Sequence, residues 1–361
     1  MRTGVANSPL HGGFCPPWLF EQMKRLGAAM VEVIVEEFSP EEVLVRLSDP
    51  VWFQAFGCVL GFDWHSSGLT TVVSGALKEG LKDRQADLGL FFAGGKGKAS
   101  RRTPHEIAAA VDQYALSVSA EDLQFASRMA AKVDNAALQD GFQLYHHLFV
   151  FTTDGTWAVI QQGMNDETGY ARRYHWLSKG LDDFVVEPHA AVCGERAADV
   201  LNMTADEAGP ARHASTALID DPHEVLRILN EMHAGKYIKQ LTLPRAHPVP
   251  HASRLDKILH RLYERRPADY AALLGTEGVG PATVRALAMV AEVIYGTPPS
   301  RRDPVRYSFA HGGKDGYPKP VDRKDYETSI HVLETALKRA RIGQTDRLHA
   351  LRRLARWQDG G

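Results

Sequence analysis

The chain has 361 residues, 44% of them apolar and 24% charged, an ordinary globular composition with length for two domains. No apolar run approaches the roughly 18 residues of a membrane-spanning helix, and MRTGVANSPLHGG lacks the apolar segment of a secretory leader. Cys15, Cys58 and Cys193 are odd in number and far apart, which argues against a disulfide framework or a CxxC zinc site; a cytoplasmic protein with no membrane partner is expected.

The first 55 or so residues read as helices. PPWLFEQMKRLGAAMVEVIVEEF is one amphipathic segment started by Pro16-Pro17, and SPEEVLVRLSD starts at Ser39 with Pro40 first. FGCVLGFDWHSSG is an apolar run with the look of a buried strand or short element, and LTTVVSGALKEGLK returns to helical spacing. DLGLFFAGGKGKAS reads as a strand running into a glycine-lysine loop. TPHEIAAAVDQYA then has a capping box from Thr103 to Glu106. FQLYHHLFVFTTDGTWAVIQQG is a β-hairpin signal, two β-prone runs about Asp154-Gly155. A two-residue turn there pairs Phe151 with Ala158, Phe149 with Ile160 and His147 with Gln162, and sends His146 to the other face. Beyond about residue 200 the pattern is helix after helix, without a solenoid repeat.

The expected fold is therefore a mixed α+β domain with a β-hairpin core over residues 1–210, assigned any catalysis, and an all-α domain over 211–361. Charge divides the same way. Residues 236–361 hold 23 Lys and Arg against 13 Asp and Glu, leaving 19 against 31 for residues 1–235. A basic half meets either a polyanion or the acidic half of its own chain.

Within the basic half, ADYAALLGTEGVGPATVRALAMVAEVIYG resembles the helix-hairpin-helix motif of DNA repair proteins, over about residues 268–295. Gly278 and Gly280 allow a tight turn that bares backbone N–H groups, Pro281 suits the first helical turn, and Thr283 follows near the helix start. Such a turn holds phosphate without reading bases. Helix-hairpin-helix glycosylases place a catalytic Asp beyond the second glycine. Asp303, 23 residues past Gly280, stands in that region, as either a catalytic acid or an ion-pair partner of the neighbouring arginines. The lysine nucleophile that some of them carry at the second helix is replaced by Pro281-Ala282-Thr283.

Further cations sit on glycine loops, at Lys96 and Lys98 in FFAGGKGKASRR and at Lys314 in AHGGKDG; neither stretch is a complete nucleotide-binding phosphate loop. ARRYHWLS interleaves Arg172 and Arg173 with aromatic residues, a pattern that can hold phosphates while bases stack. For chemistry, Asp63 and His65 in FDWHSSG share a face of an extended segment, and Asp134, Asp140, His146 and His147 precede or lie on the hairpin whose second strand carries Gln161 and Gln162. Carboxylate and imidazole together can bind a divalent cation that activates a water. The expected site is Asp63, His65, Asp140, His147 and Gln162, with Mg²⁺ or Mn²⁺ on Asp63, Asp140 and His147. Each group also has a structural reading, as helix cap, ion pair or satisfied buried polar residue.

PLHGG, PPWLFEQM, GCVLGFDWHSSG, GALKEGL, AGGKGKASR, QDGFQLYHHLFVF, WAVIQQGMN, ARRYHWLS, EGVGPATVRALA and DPVRYSFAHGGKDG together resemble the uncharacterised family numbered 763 among the domains of unknown function. The resemblance spans nearly the whole chain and implies no particular reaction. The expectation is a DNA-binding enzyme of DNA repair or processing, a metal-dependent nuclease acting on single- or double-stranded DNA and possible as a homo-oligomer. The alternatives are a glycosylase using Asp303 and a non-catalytic DNA-binding protein.

Overall fold

A computed structural model describes residues 15–62, 67–237, 239–242, 247–305, 323–340 and 342–358. Asp63, His65 and Lys314 lie outside the described residues. Four helices come first: α1 (Pro17–Glu37), α2 (Pro40–Ser48), α3 (Pro50–Val59) and α4 (Gly68–Gly80). Ser39 caps α2 by accepting the Glu42 N–H, and Asp49 caps α3 by accepting those of Val51 and Trp52. The apolar run expected as a buried strand or short element therefore begins inside a helix. α3 is buried on nearly every side, from Trp52 through Gly57, so it has no polar face to reveal a helical period.

A single turn, α5 (Gln85–Leu88), leads to β1 (Leu90–Lys96). After a 3₁₀ turn over Gly97–Arg102 comes α6 (Thr103–Gln113), followed by α7 (Ala120–Lys132) and a π-helical turn over Val133–Ala137. The Thr103–Glu106 capping box is not formed. Because the 3₁₀ turn runs directly into α6, the Thr103 hydroxyl donates back to Ser100 O, and Glu106 turns to Gly94 and Lys78.

The short β2 (Leu138–Gln139) precedes β3 (Gln143–Thr152), β4 (Trp157–Asn165), β5 (Tyr170–Leu177), β6 (Ala191–Cys193) and β7 (Leu201–Asn202). Five of these make one antiparallel sheet in the order β1-β3-β4-β5-β6, and β2 pairs with β7. The β3–β4 hairpin forms, with its register one residue from the expected one: Phe151 faces Trp157, Phe149 faces Val159, His147 faces Gln161 and His146 faces Gln162. The cause is the turn. Asp154 accepts from the Thr152 hydroxyl and the Thr156 N–H, and Gly155 takes φ +86°, giving a three-residue loop.

The remaining helices are α8 (Gly209–Ala217), α9 (Pro222–His233), α10 (Ala252–Arg265), α11 (Tyr270–Gly275), α12 (Pro281–Tyr295), α13 (Arg323–Arg339) and α14 (Gln344–Gln358). The architecture is mixed α+β, with the sheet between two helical layers. Leu90, Phe92, Leu148, Val150, Ala158 and Ile160 pack with residues of α1–α4, α13 and α14. Phe91, Phe149, Phe151, Val159 and Trp176 pack with those of α6–α12. Each apolar layer draws residues from both sides of residue 210. Among the described residues no helix is long and apolar enough to cross a membrane.

Candidate functional site

Side chains alternate along a strand, so neighbouring polar residues are divided between the two layers. One row crosses the sheet beneath α1–α4 by direct pairing, Lys96 to His146, His146 to Gln162, Gln162 to Arg173, and Arg173 to Cys193. Lys96 is exposed at the sheet edge and its Nζ lies 5.8 Å from the Tyr145 ring centre. His146 and Gln162 are 1% and 3% exposed. His146 Nε2 meets Ser74 Oγ at 3.1 Å, and Gln162 Nε2 donates to Ser67 O at 3.0 Å. That second bond fixes the amide orientation, since a flip would set two oxygens together. His146 Nδ1 and Gln162 Oε1 then have no hydrogen-bond partner among the described residues. Burial, with His147 and Lys96 nearby, pushes the His146 imidazole down to about 3, so it is neutral.

Arg173 is enclosed in the same layer. Its Nε donates to His175 Nε2 at 2.8 Å, Nη1 donates to Gln54 Oε1 at 3.2 Å, and the guanidinium lies over the Phe53 ring. His175 is a neutral imidazole, accepting from Arg173 and donating from Nδ1 to Leu47 O at 2.9 Å; burial holds it well below its ordinary range.

The opposite face carries a second set. Gln161 Nε2 donates to Asp134 Oδ2 at 2.5 Å and to Ala130 O, so its Oε1 accepts from His147 Nδ1 at 2.8 Å. His147 Nε2 is left to accept from the Ser127 hydroxyl at 2.8 Å. Asp134, on the π-helical turn, also accepts from Trp176 and meets His189. Burial lowers the His147 imidazole, with the Gln161 bond and Asp134 acting against it. A few residues along, Arg172 Nη1 meets Asp140 at 2.7 Å, Nη2 meets Asp303 at 2.8 Å, and Tyr174 donates to Asp140 at 2.7 Å. The Arg172 and Asp140 side chains are 0% exposed and Asp303 is 5% exposed. Burial opposes the charge on Arg172, yet Asp140 and Asp303 hold its proton more tightly than usual. The Asp140 carboxyl is pushed up by burial against the pull of Arg172, Tyr174 and the Phe142 amide.

The expected site residues are thus distributed. Asp140 and Asp303 share Arg172, whose guanidinium is enclosed between them. His147 joins Ser127 and Gln161, while Gln162 joins His146 on the other face. Asp140, His147 and Gln162 do not converge on one point, because Gln162 faces α1–α4 and the other two groups bond on the α6–α12 side. Among the described residues no group of three or more His, Cys, Asp or Glu side chains could hold a metal ion.

The glycine-lysine loop is held by residues outside the motif. Glu106 accepts the Gly94 N–H at 2.8 Å and Lys78 Nζ at 2.5 Å, and Lys78 also donates to Gly94 O at 2.7 Å. Gly94 has φ +95°, and a Cβ there would collide with the His147 carbonyl oxygen, so only glycine fits. This clamp leaves Lys96 and Lys98 exposed.

The turn Thr276–Gly280 joins α11 to α12. Gly278 has φ +90°, and a Cβ on it would lie 3.0 Å from Ile258 Cδ1 and 3.3 Å from Arg261 Nη1. Gly280 is extended, at φ −144°, and a Cβ there would meet nothing within 4 Å. The Glu277, Gly278 and Gly280 N–H groups have no acceptor among the described residues. Thr283 is buried, so its side chain is withdrawn from the surface. Arg261 donates to Glu277 O at 3.0 Å. With Arg254 and Lys257 it makes an exposed basic row on α10, at spacings of three and four residues. Lys132, from α7, donates to three carbonyls of the turn, Leu274 O, Thr276 O and Val279 O.

Ser127, Lys78, Lys132 and Arg261 were not marked by the sequence reading. Each acts on a residue far along the chain and carries no local motif; only the basic period of α10 was there to be seen.

No curated protein and no solved structure matches the chain. A family model matches residues 4–321, and the chain belongs to that family, described as protein of unknown function (DUF763).

Proposed function

We propose that this chain binds nucleic acid, gripping a backbone phosphate at the turn between α11 and α12 in the manner of a helix-hairpin-helix motif, and that it serves DNA repair or processing. One observation carries the reading. The Glu277 and Gly280 N–H groups are without acceptors beside the start of a 15-residue helix, with open space at Gly280 and Arg261 on the turn. Backbone donors, a helix N-terminus and a cation together suit a phosphate oxygen. The basic excess of residues 236–361 supplies the long-range attraction.

A second reading adds catalysis, the metal-dependent hydrolysis of phosphodiester bonds with Mg²⁺ or Mn²⁺. It is favoured by His146 Nδ1 and Gln162 Oε1, two buried and unpartnered atoms on adjacent strands, in the row that ends at Lys96. A lone pair on each can face a cation or its water. Asp303 as a glycosylase acid is less well served, since Arg172 and the Ala197 and Val305 N–H groups already take its oxygens.

Incubation of the protein with end-labelled single- and double-stranded DNA, in Mg²⁺, Mn²⁺ or EDTA, tests these readings. Salt-sensitive binding without product supports the grip alone, and metal-dependent scission supports the nuclease. Alkali-revealed abasic sites would restore the glycosylase. Absence of binding at low salt refutes the proposal.

A further inference from the structure

The three carbonyls that Lys132 holds do not belong to one helix end. Leu274 O is in the last turn of α11, Thr276 O is in the connecting turn, and Val279 O is the last before Gly280; Nζ reaches them at 2.8, 2.6 and 3.2 Å. An ammonium has three N–H bonds, and this arrangement uses all of them. Lys132 is the last residue of α7, so the cation arrives from a distant part of the chain. It is half-buried, and burial lowers its pKa, with Glu277 acting in the opposite sense.

Peptide geometry gives this contact a second consequence. In a planar trans peptide the C=O and N–H point in opposite directions. Turning Thr276 O and Val279 O toward Lys132 turns the N–H groups of Glu277 and Gly280 away from it. Those are two of the three amides of the turn without acceptors among the described residues; the third, Gly278 N–H, belongs to the peptide whose carbonyl accepts from Arg261.

We infer that Lys132 is a positioning residue for phosphate binding, a built-in cation that gathers the carbonyls of the turn on one side and so aims the Glu277 and Gly280 amides outward from the other. The inference rests on the proposed phosphate grip. It implies that the three carbonyls form a latent cation site: shortening the lysine leaves oxygen dipoles that a potassium or ammonium ion can satisfy, as carbonyl oxygens replace an ion's hydration shell elsewhere.

The test compares wild type, Lys132→Ala and Lys132→Met in equal concentrations of potassium, ammonium or tetramethylammonium chloride. Two quantities are read, the thermal midpoint and the affinity for a fluorescent duplex. Wild type is expected to be indifferent to the choice among the three cations. Lys132→Ala is expected to lose about tenfold in affinity in tetramethylammonium and to recover most of it in potassium or ammonium, with a parallel rise in midpoint. Lys132→Met, which fills the space and cannot donate, should remain weak in every salt. A Lys132→Ala protein whose midpoint ignores cation identity, or that fails to fold in all three salts, overturns the inference. So does a variant that binds DNA like wild type in tetramethylammonium. If wild type binds no DNA, the phosphate grip fails and the aiming role falls with it, while cation-selective melting still reports on the carbonyl site alone.

Discussion

Substitution of Gly280 by valine separates the proposed grip from the fold. The residue is extended at φ −144°, a conformation open to any side chain, and a Cβ has no neighbour within 4 Å. Stability should therefore change by no more than about 0.5 kcal/mol, read from urea or thermal unfolding. The same side chain would stand at the start of α12, beside the Gly280 N–H, where the phosphate is placed. Loss of one charge-assisted contact costs about 1.5–3 kcal/mol, or roughly 10- to 150-fold in affinity. Gly278 is the contrasting position: at φ +90° and 3.0 Å from Ile258, a valine there strains the backbone by about 1–3 kcal/mol and confounds binding with folding. Fluorescence anisotropy with duplexes of several sequences, at a series of salt concentrations, gives the readout. Affinity should fall for all sequences alike, because a phosphate contact carries no base information. A folded Gly280→Val protein that binds like wild type, or that changes its base preference, refutes the placement of phosphate at this turn.

Other outcomes follow from the buried groups. Arg172→Met leaves the Asp140 and Asp303 carboxylates buried without their shared cation and should cost about 3–5 kcal/mol in urea unfolding, whereas a loss under 1 kcal/mol would show that the pair is not enclosed. Burial holds His146, His147 and His175 below their ordinary value of 6.5, so the fold favours the neutral form of each and the unfolded chain protonates first. Their contribution is intact above about pH 7 and is lost as pH falls through 6.5 toward the His146 value of about 3, by up to about 1.4 kcal/mol per pH unit for each histidine; stability unchanged between pH 7 and 5 would contradict their burial. Gly94→Ala sets a Cβ against His147 O at φ +95° and should destabilise by about 1–3 kcal/mol or more, and a neutral result would mean that the Lys78–Glu106 clamp yields.

How far the sequence shows these features depends on the range of the interaction behind each. The β3–β4 hairpin was legible because alternation and a turn dipeptide are local. Its register was not, because the choice between a two- and a three-residue loop turns on Asp154 accepting from Thr152 and Thr156. The end of α3, Phe56–Val59, is open in sequence between a strand and another short element because a segment buried on all sides shows no period. The glycines at 278 and 280 marked the turn correctly, yet nothing near them points to Lys132 on α7. Likewise Asp140 and Arg172 both stood out as polar residues of the first half. Their joint partner, Asp303, lies 131 residues beyond Arg172, and only the packed chain shows that the three satisfy one another.

The two faces of the sheet then differ in a way that bears on where chemistry can lie. On the α6–α12 side, the oxygens of Asp134, Asp140 and Asp303 and the polar atoms of His147 and Gln161 are engaged in defined hydrogen bonds, with only Arg172 Nε unpartnered in this set among the described residues, and a buried polar network so joined fixes register and packing. Drawing one of those carboxylates to a metal or a water would first break an enclosed contact. On the α1–α4 side, His146 and Gln162 are anchored through one atom each, to Ser74 and Ser67, while His146 Nδ1 and Gln162 Oε1 stay without partners among the described residues. An uncompensated buried polar atom is costly, so the fold retains two on paired residues against a free-energy penalty. The glycine-lysine loop joins the faces, since Gly95 pairs with His147 and Lys96 with His146. The α7 helix, whose Gln124 holds Pro104 O just past that loop, ends at Lys132, which bonds the turn between α11 and α12. The proposed grip and the unpartnered row are thus tied to one scaffold, and His146 with Gln162, rather than His147 with Asp140, is the pair to change first when strand scission is sought.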